Sequence, residues 1–400
     1  MVRRKTAGFW IVGVMSPFLI SGIGGLARAR VKAERDYLVS GEDQTLRQVI
    51  TKQMGLPYTP PRALGSVTAN DLADRADQRL VLGFVPDGVR FLTCSVDVQV
   101  GFFEWLCRGW GINGESWIVD RGRILADAAT NPSDWDKLPA QLFLREWPLA
   151  DGSGRTMGVR ASCIDSAGAA GVTQQAYAAW ARWRRTKIVR YFGKTGGPTG
   201  RDVFNIILTK GAIGFNKAKL SVVYPDTPRA ANLAAGRGEI PLATFNPNLF
   251  KDDLLGHLLK AEPGDWFVHF PAGASAGFPH GLRAEENQPP HPWFEQLTAE
   301  ARLPDGKWQL VSPSARNEAL DLMVMSHVIA HLHGLMRIKW ERPPVWAADW
   351  DHNPMIRAAV PAVAPELPVE SLAPAAPAAP AGVRVTVDQA RQKSIGKRLA

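Results

Sequence analysis

The sequence predicts an α/β fold, a mixed β-sheet flanked by helices, on three observations. Between Val81 and Asp120 lie β-rich segments separated by the turn signals Pro86-Asp87-Gly88 and Gly111-Ile112-Asn113-Gly114, a run of antiparallel strands. From Asn131 to Phe192 helical and strand patterns alternate, as helices packed on a sheet require. The 400 residues are 46% hydrophobic and 21% charged, ample for a large core, which excludes a wholly disordered or fibrous chain.

Taken in order, residues 1–30 imitate a secretory signal: a basic start, an apolar stretch from Gly8 to Ala27 and an Ala27-x-Ala29 site. Pro17 and the glycines Gly13, Gly22, Gly24 and Gly25 interrupt that stretch. The reading is therefore a buried strand over 8–18, then a helix of mixed charge over Gly25–Leu38. No other segment approaches the ~20 uninterrupted apolar residues of a membrane span. Residues 40–64, with Pro57, Pro60 and Pro61, read as a linker. Strands follow at Val81–Val85, Val89–Val98, Phe102–Trp110 and Glu115–Asp120. Asn131–Trp147 contains a helix capped by Ser133. Val159–Asp165 is a strand, Val172–Arg185 a helix and Ile188–Phe192 a strand. The Gly/Pro-rich middle, 193–290, offers strands at 204–210, 219–224 and 266–270. Pro292–Arg302 is a helix, Trp308–Val311 a strand and Asn317–Met336 a long helix. Beyond Pro343 the chain turns Ala/Pro-rich, too poor in large apolar residues to pack, and a disordered tail with a basic end is expected.

Lys and Arg number 47 against 38 Asp and Glu, a net charge of +9. That surplus favours a polyanionic partner, nucleic acid or an anionic membrane surface. The 3 cysteines, Cys94, Cys107 and Cys163, form no C-x-x-C pair, which suits a reducing cytosol and argues against a structural zinc site.

Asp97 ends an apolar strand, where an open sheet exposes its edge to ligands. Asp165 ends another, with Ser166-Ala167-Gly168 as the turn, and Asp321 lies in the first turns of an otherwise apolar helix. Each alone also reads as a turn former or helix cap. Together they converge if the two strands are adjacent and the helix packs across them. A carboxylate at the hydrophobic end of a strand is costly unless it meets a cation. Hard oxygen ligands from separate chain positions suit Mg²⁺ or Mn²⁺, and a pair of ions roughly 3.5–4 Å apart supports in-line phosphodiester hydrolysis.

The segments Ser95-Val96-Asp97-Val98-Gln99, Gly109-Trp110-Gly111 and Glu115-Ser116-Trp117 resemble the lambda-type (GpA family) phage terminase large subunit. So do Cys163-Ile164-Asp165-Ser166, the stretch Phe294–Glu300 and the stretch Arg316–Asp321, and the similarity spans about residues 8–340. The resemblance implies an RNase H-like nuclease domain that cuts concatemeric double-stranded viral DNA beside an N-terminal packaging ATPase. Its implied setting is the host cell cytoplasm, in an oligomer with a small terminase subunit and the portal of the procapsid, and no membrane. Carried over, Asp97, Asp165 and Asp321 match the acidic nuclease positions. Glu318, one helical turn from Asp321, shares that face or is simply a helix-start charge. Glu104 is a further candidate, with an edge-strand surface charge as the plain alternative. The family also carries a lysine-glycine pair where Lys210-Gly211 ends a strand, a phosphate contact or an ordinary strand-end lysine.

A packaging motor needs a Gly-rich loop ending in Gly-Lys-Ser/Thr. Here Gly193-Lys194-Thr195 has Ile188 where the first glycine belongs and follows the expected fifth strand of the sheet, so it reads as a decoy. Residues 1–64 then read as a strand-and-helix remnant of the ATPase domain with its exit linker, 65–340 as the nuclease domain, and 341–400 as a Pro/Ala-rich linker and basic tail. ATP hydrolysis by this chain alone is not expected.

Arg182, Arg184, Arg185, Lys187 and Arg190, interleaved with Trp180 and Trp183, suit a nucleic-acid backbone and stacked bases. The alternative is a helix with buried tryptophans and solvated arginines. His327, His331 and His333 could bind zinc but lack a nearby cysteine, so packing or solvated histidines are preferred. The competing functions are another nuclease of the same fold, of resolvase or transposase type, and a non-catalytic DNA- and portal-binding subunit or prophage relic.

Overall fold

The computed structural model describes residues 22–40, 44–56, 58, 67–195, 200–212, 218–225, 239–275, 291–303 and 306–358. The strand expected at 8–18 and the basic tail lie outside them. Near the N-terminus, α1 (Gly22–Ser40) matches the predicted helix, and α2 (Gln44–Gln48) continues into a π-helical turn at Val49–Gln53. The expected linker is thus helical in part, because Leu26 and Ala33 of α1 bury Leu46 and Val49 in a small apolar cluster. The helix α3 (Ala69–Asp74) starts with a reciprocal cap, Thr68 taking the Asp71 N–H and Asp71 taking the Thr68 N–H.

Three long strands follow, β1 (Phe91–Gln99), β2 (Phe102–Trp110) and β3 (Ser116–Leu125). Val81–Val85 is not a strand: only Val85 bridges, to Leu149. The expected helix in 131–147 is present as an unbroken helical stretch over 132–143, but not as a regular α-helix: a 3-10 turn at Pro132–Asp136 passes into a π turn at Pro139–Phe143. Pro139 has no N–H to continue a regular α-helix, and the cap is Asn131, which accepts the Ser133 N–H at 3.2 Å. Next come β4 (Glu146–Pro148), β5 (Thr156–Asp165) and α4 (Val172–Arg185), the last with its predicted limits. The strand expected at 188–192 is displaced to β6 (Tyr191–Thr195), which pairs with β7 (Arg201–Phe204) in a separate 2-stranded sheet. Then follow β8 (Ile206–Gly211), β9 (Leu220–Val223), β10 (Leu242–Phe245), α5 (Pro247–Leu258), β11 (Val268–His269) and α6 (Pro292–Leu297). Residues Glu300–Arg302 form β12 against β13 (Trp308–Leu310) instead of prolonging α6. The long helix α7 (Glu318–Leu332) ends at Gly334, whose φ of 91° stops it. Part of the expected C-terminal linker is structured, because Trp350, Met355 and Ile356 pack on the core and β14 (Ile356–Arg357) pairs with β5.

The main sheet has the order β11-β3-β2-β1-β5-β8-β10-β9. β1, β2 and β3 form an antiparallel meander, while β1, β5, β8 and β10 run parallel. This is an RNase H-like mixed sheet. Strand alternation divides the core. Leu92, Cys94 and Val96 join the cluster under α4, which carries Tyr177, Trp180 and Trp183. Leu106, Ala161, Cys163 and Ile207 join the opposite cluster with α5, α6 and α7. α7 is apolar around most of its circumference, as a helix covered on all sides must be. Among the described residues, no helix is long and apolar enough to cross a membrane.

Gly114 gives a direct test of this packing. It sits at φ 80°, and an added Cβ would lie 2.5 Å from the Trp266 ring. Gly114→Ala is expected to cost roughly 2–4 kcal/mol, the left-handed backbone and overpacking combined. Urea unfolding checks this, with a lower midpoint at unchanged slope expected.

Candidate functional site

The same alternation decides where the acidic residues point. Ser95 faces α7, since its hydroxyl donates to the Leu322 carbonyl at 2.8 Å, and Asp97 lies two residues on. Cys163 also faces α7, its thiol 3.3 Å from the Met325 carbonyl, and Asp165 again lies two residues on. β1 and β5 are parallel neighbours with Val96 opposite Ile164, so Asp97 and Asp165 leave the sheet side by side. Glu104 stands across from Asp97 on β2. Asp321 precedes Leu322 and overhangs the two strand ends, its side chain 43% exposed at the mouth of the site. Strand, strand and helix therefore bring together the three aspartates singled out from the sequence.

Burial raises the proton affinity of Asp97 to about 7, with Asp165, Asp321 and Glu104 adding repulsion and the Gln99 amide opposing. Asp165 is raised to about 6, again by burial first, then by Asp321, against backbone N–H donors and Lys210. Asp321, open to solvent on one side but crowded by protein on the others, is raised by that partial desolvation and by Glu300 and Glu318, with Lys251 opposing. Each carboxylate has an orienting partner. Gln99 Nε2 donates to Asp97 Oδ2 at 2.6 Å, and the Ala167 N–H to Asp165 Oδ1 at 3.1 Å. Lys251 Nζ stands 3.3 Å from Asp321 Oδ1, and Asn317 Nδ2 donates to Asp321 Oδ2 at 3.2 Å. Glu104 pairs with Arg123 and Glu318 with Arg316, both at 2.9 Å. The second oxygen of each, Glu104 Oε1 and Glu318 Oε2, is buried without a hydrogen-bond partner. Among the described residues, no group of three or more His, Cys, Asp or Glu side chains stands in a metal-holding arrangement.

Lys210 comes to this rim, following Thr209, the register partner of Asp165. The basic cluster does not. α4 runs back along the sheet, and Trp180 Nε1 donates to Ile206 at the start of β8, so Arg182, Arg184, Arg185 and Lys187 lie at the opposite end. Trp180 and Trp183 are 2% and 1% exposed, so they do not offer faces for stacked bases. Arg182 pairs with Asp136 at 3.0 Å, while Arg184, Arg185 and Lys187 are exposed. His327 is packed among Trp110, His257 and Trp266, and His333 hydrogen-bonds the Phe204 carbonyl at 3.0 Å. Lys194 and Thr195 lie on β6, Lys194 3.9 Å from Asp202 and Thr195 donating to the Leu332 carbonyl, and the next element among the described residues is the strand β7, where a phosphate loop requires a helix. Sequence reasoning missed Gln99, Lys251, Asn317 and Glu300. Gln99 was findable, two residues beyond Asp97 on the same face; Lys251 sits on α5, an element the sequence pattern did not reveal.

A carboxyl that binds its proton more tightly folded than unfolded stabilises the fold below its unfolded value, and that stabilisation is lost as pH rises through the folded one. For Asp97 the window runs from about 3.8 to about 7. In metal-free buffer, Asp97→Asn is expected to raise the thermal midpoint by several degrees at pH about 8 and to change it little near pH 4. Scanning calorimetry at both pH values checks the sign, and an equal shift at both refutes it.

The chain matches the family described as the terminase large subunit gpA, endonuclease domain, over residues 6–340. It is 26% identical over 251 residues to the large terminase subunit of Escherichia phage lambda, covering 60% of this chain and 32% of that protein. The chain thus spans about a third of the length of this curated relative. No solved structure matches it significantly. The family match begins ahead of α1 and ends beyond α7, taking in the main sheet except for the β14 edge. By that extent the chain belongs to the endonuclease-domain family of the phage terminase large subunit gpA.

Proposed function

We propose that the chain is a metal-dependent endonuclease that cuts concatemeric double-stranded viral DNA during genome packaging. The observation that supports this most is the side-by-side exit of Asp97 and Asp165 beneath Asp321, in a family named for an endonuclease domain.

Asp97, Asp165, Asp321 and Glu318 are the residues that would hold Mg²⁺ or Mn²⁺. The donors fit a hard cation: all are carboxylate oxygens, and Glu318 Oε2 is buried without a partner. The chemistry that paired ions supply in such a site is neutralisation of the charge that develops on the phosphate and a lower proton affinity for the attacking water. The chain's own residues hold the ligands in place. Gln99 fixes one oxygen of Asp97, the Ala167 N–H fixes one of Asp165, and Lys251 with Asn317 fixes Asp321. Lys210, exposed beside Asp165, meets a phosphate oxygen of the strand being cut. The open side of Asp321 lets a DNA backbone approach without any strand leaving the sheet.

ATP hydrolysis is no part of this reading. Sequence choice is delegated to a small terminase subunit, since no base-reading helix-turn-helix pattern is evident in the sequence. The assembled form is an oligomer with the portal and procapsid, acting in the host cell cytoplasm. The second reading is a packaging subunit that binds DNA and portal without cutting. It draws on the lack, among the described residues, of a ready-made metal-holding cluster.

Nicking of supercoiled plasmid in millimolar Mg²⁺ or Mn²⁺ separates the two. Cutting is expected, abolished by EDTA and reduced at least roughly 100-fold in Asp97→Ala, Asp165→Ala and Asp321→Ala, the upper range seen even for neighbours of metal ligands. Cutting that survives in these variants overturns the site. Plasmid left intact at every metal dose, with duplex still bound, favours the second reading.

A further inference from the structure

A cleft of about 560 Å³ lies between β6, the end of α7 and the segment that follows it. Its lining includes Arg160, Lys194, Arg337, Lys339 and Arg342, and no Asp or Glu. α7 begins at the carboxylates and ends here. Its 15 residues, at about 1.5 Å each, put the two sites about 22 Å apart.

The cations gathered here are not balanced by the fold. Lys194 reaches Asp202 at 3.9 Å, but Arg160, Arg337, Lys339 and Arg342 form no ion pair among the described residues. Arg160 is the most committed of them. Its guanidinium lies 4.0 Å from the centre of the Phe192 ring and 4.7 Å from that of Trp346, and its Nε is buried without a hydrogen-bond partner. Burial, with Arg190 nearby, lowers its proton affinity to about 10, so it stays charged at neutral pH. Aromatic rings return about 0.5–2 kcal/mol to such a cation, against the several kcal/mol that desolvating a charge costs. An anion would make up the difference.

Arg160 reaches the cleft through a backbone irregularity. Leu92 pairs with Val159 but Thr93 pairs with Ala161, so Arg160 is the extra residue of a β-bulge. Met157 and Val159 pack under α4, whereas Ala161 and Cys163 pack under α7. The bulge is where β5 changes phase, and it turns Arg160 toward α7's side of the sheet. The basic surface also continues past the cleft: the Phe204 ring lies 5.8 Å from the Arg184 guanidinium, and its carbonyl meets His333 of the cleft.

We propose that this cleft is a second DNA contact, binding the phosphodiester backbone of the duplex remote from the carboxylates. Several cations along an open cleft match successive phosphates better than a single one. A separation of about 22 Å corresponds to roughly six or seven base pairs. The inference rests on the nuclease reading only for the identity of the polyanion, and binding needs no cutting.

The test is fluorescence anisotropy of a labelled duplex of roughly 30 base pairs, about three helical turns, titrated with salt in EDTA. The combined variant Arg337→Gln, Lys339→Gln, Arg342→Gln changes exposed side chains only, and an unchanged thermal midpoint confirms its fold. Its affinity is expected to fall about 10–100-fold, with a salt slope shallower by about 2–3. Unchanged affinity and slope in the combined variant overturn the proposal. So does binding of inorganic phosphate or a mononucleotide that the variant loses while duplex affinity holds, because the cleft then takes a small phosphate compound. Failure of the plasmid assay leaves these readings intact, so the two ideas fail separately.

Discussion

The site depends on how one apolar helix is seated on the sheet. Side chains of the strands beneath it donate to α7, among them Ser95 of β1 to the Leu322 carbonyl, Arg108 of β2 to Ser326 Oγ and the Met323 carbonyl, and Cys163 of β5 to the Met325 carbonyl. A helix that is hydrophobic on every side has little in its surface pattern to fix its rotation or its slide. Polar anchors supply that information, at about 1 kcal/mol for a neutral hydrogen bond and about 1.5–3 kcal/mol for one from a charged donor. Arg108 is fully buried, stacked 4.1 Å from the centre of the Trp110 ring and also bonded to Ser116. These contacts set the turn of α7 that overhangs the strand ends, and with it the position of Asp321.

Against this frame the acidic rim is a local conflict that the surrounding structure tolerates. Asp97, Asp165, Asp321, Glu104 and Glu318 crowd where three elements meet, and of the cations beside them Arg123 pairs with Glu104, Arg316 with Glu318, and Lys251 is shared between Glu300 and Asp321. Repulsion among the rest remains. The remote end of the sheet carries the opposite imbalance. The domain is therefore polar along its strands, negative where β1 and β5 end and positive where α4 and α7 end. Neither end is what stability alone would select, and such departures from local consistency are where function tends to sit.

Much of this was legible because the strands are long and regular. The alternation in 91–110 and the helix Val172–Arg185 left little choice of period, and the carboxylates stood out as charges closing apolar runs. The rest was hidden for identifiable reasons. β10 and α5 lie in the Gly/Pro-rich middle, where a four-residue strand, Leu242–Phe245, and a helix opening on Pro247 give no extended periodic signal. Lys251 was therefore invisible as a partner of Asp321. Trp180 and Trp183 were read beside their arginine neighbours, but spacing of three residues puts both on the inner face of α4, and only the packed sheet shows which face that is. Asn131 outcompeted Ser133 as the cap because an Asx turn before Pro132 forms locally, ahead of any helix.

The bulge in β5 has a consequence for the geometry of the whole strand. Arg160 and Asp165 are separated by an odd number of positions, and in a regular strand they would point to opposite sides. One inserted residue acts as a half-step in a ruler with period two, bringing a cation and a carboxylate of the same strand onto the same side of the sheet. Excising one residue while the bulge stays would turn one of the two away, whereas an excision that closes the bulge leaves an even separation and keeps both on the same side. The spacing between the domain's two charged ends is thus written into one strand's count, a parity that no side-chain substitution can alter.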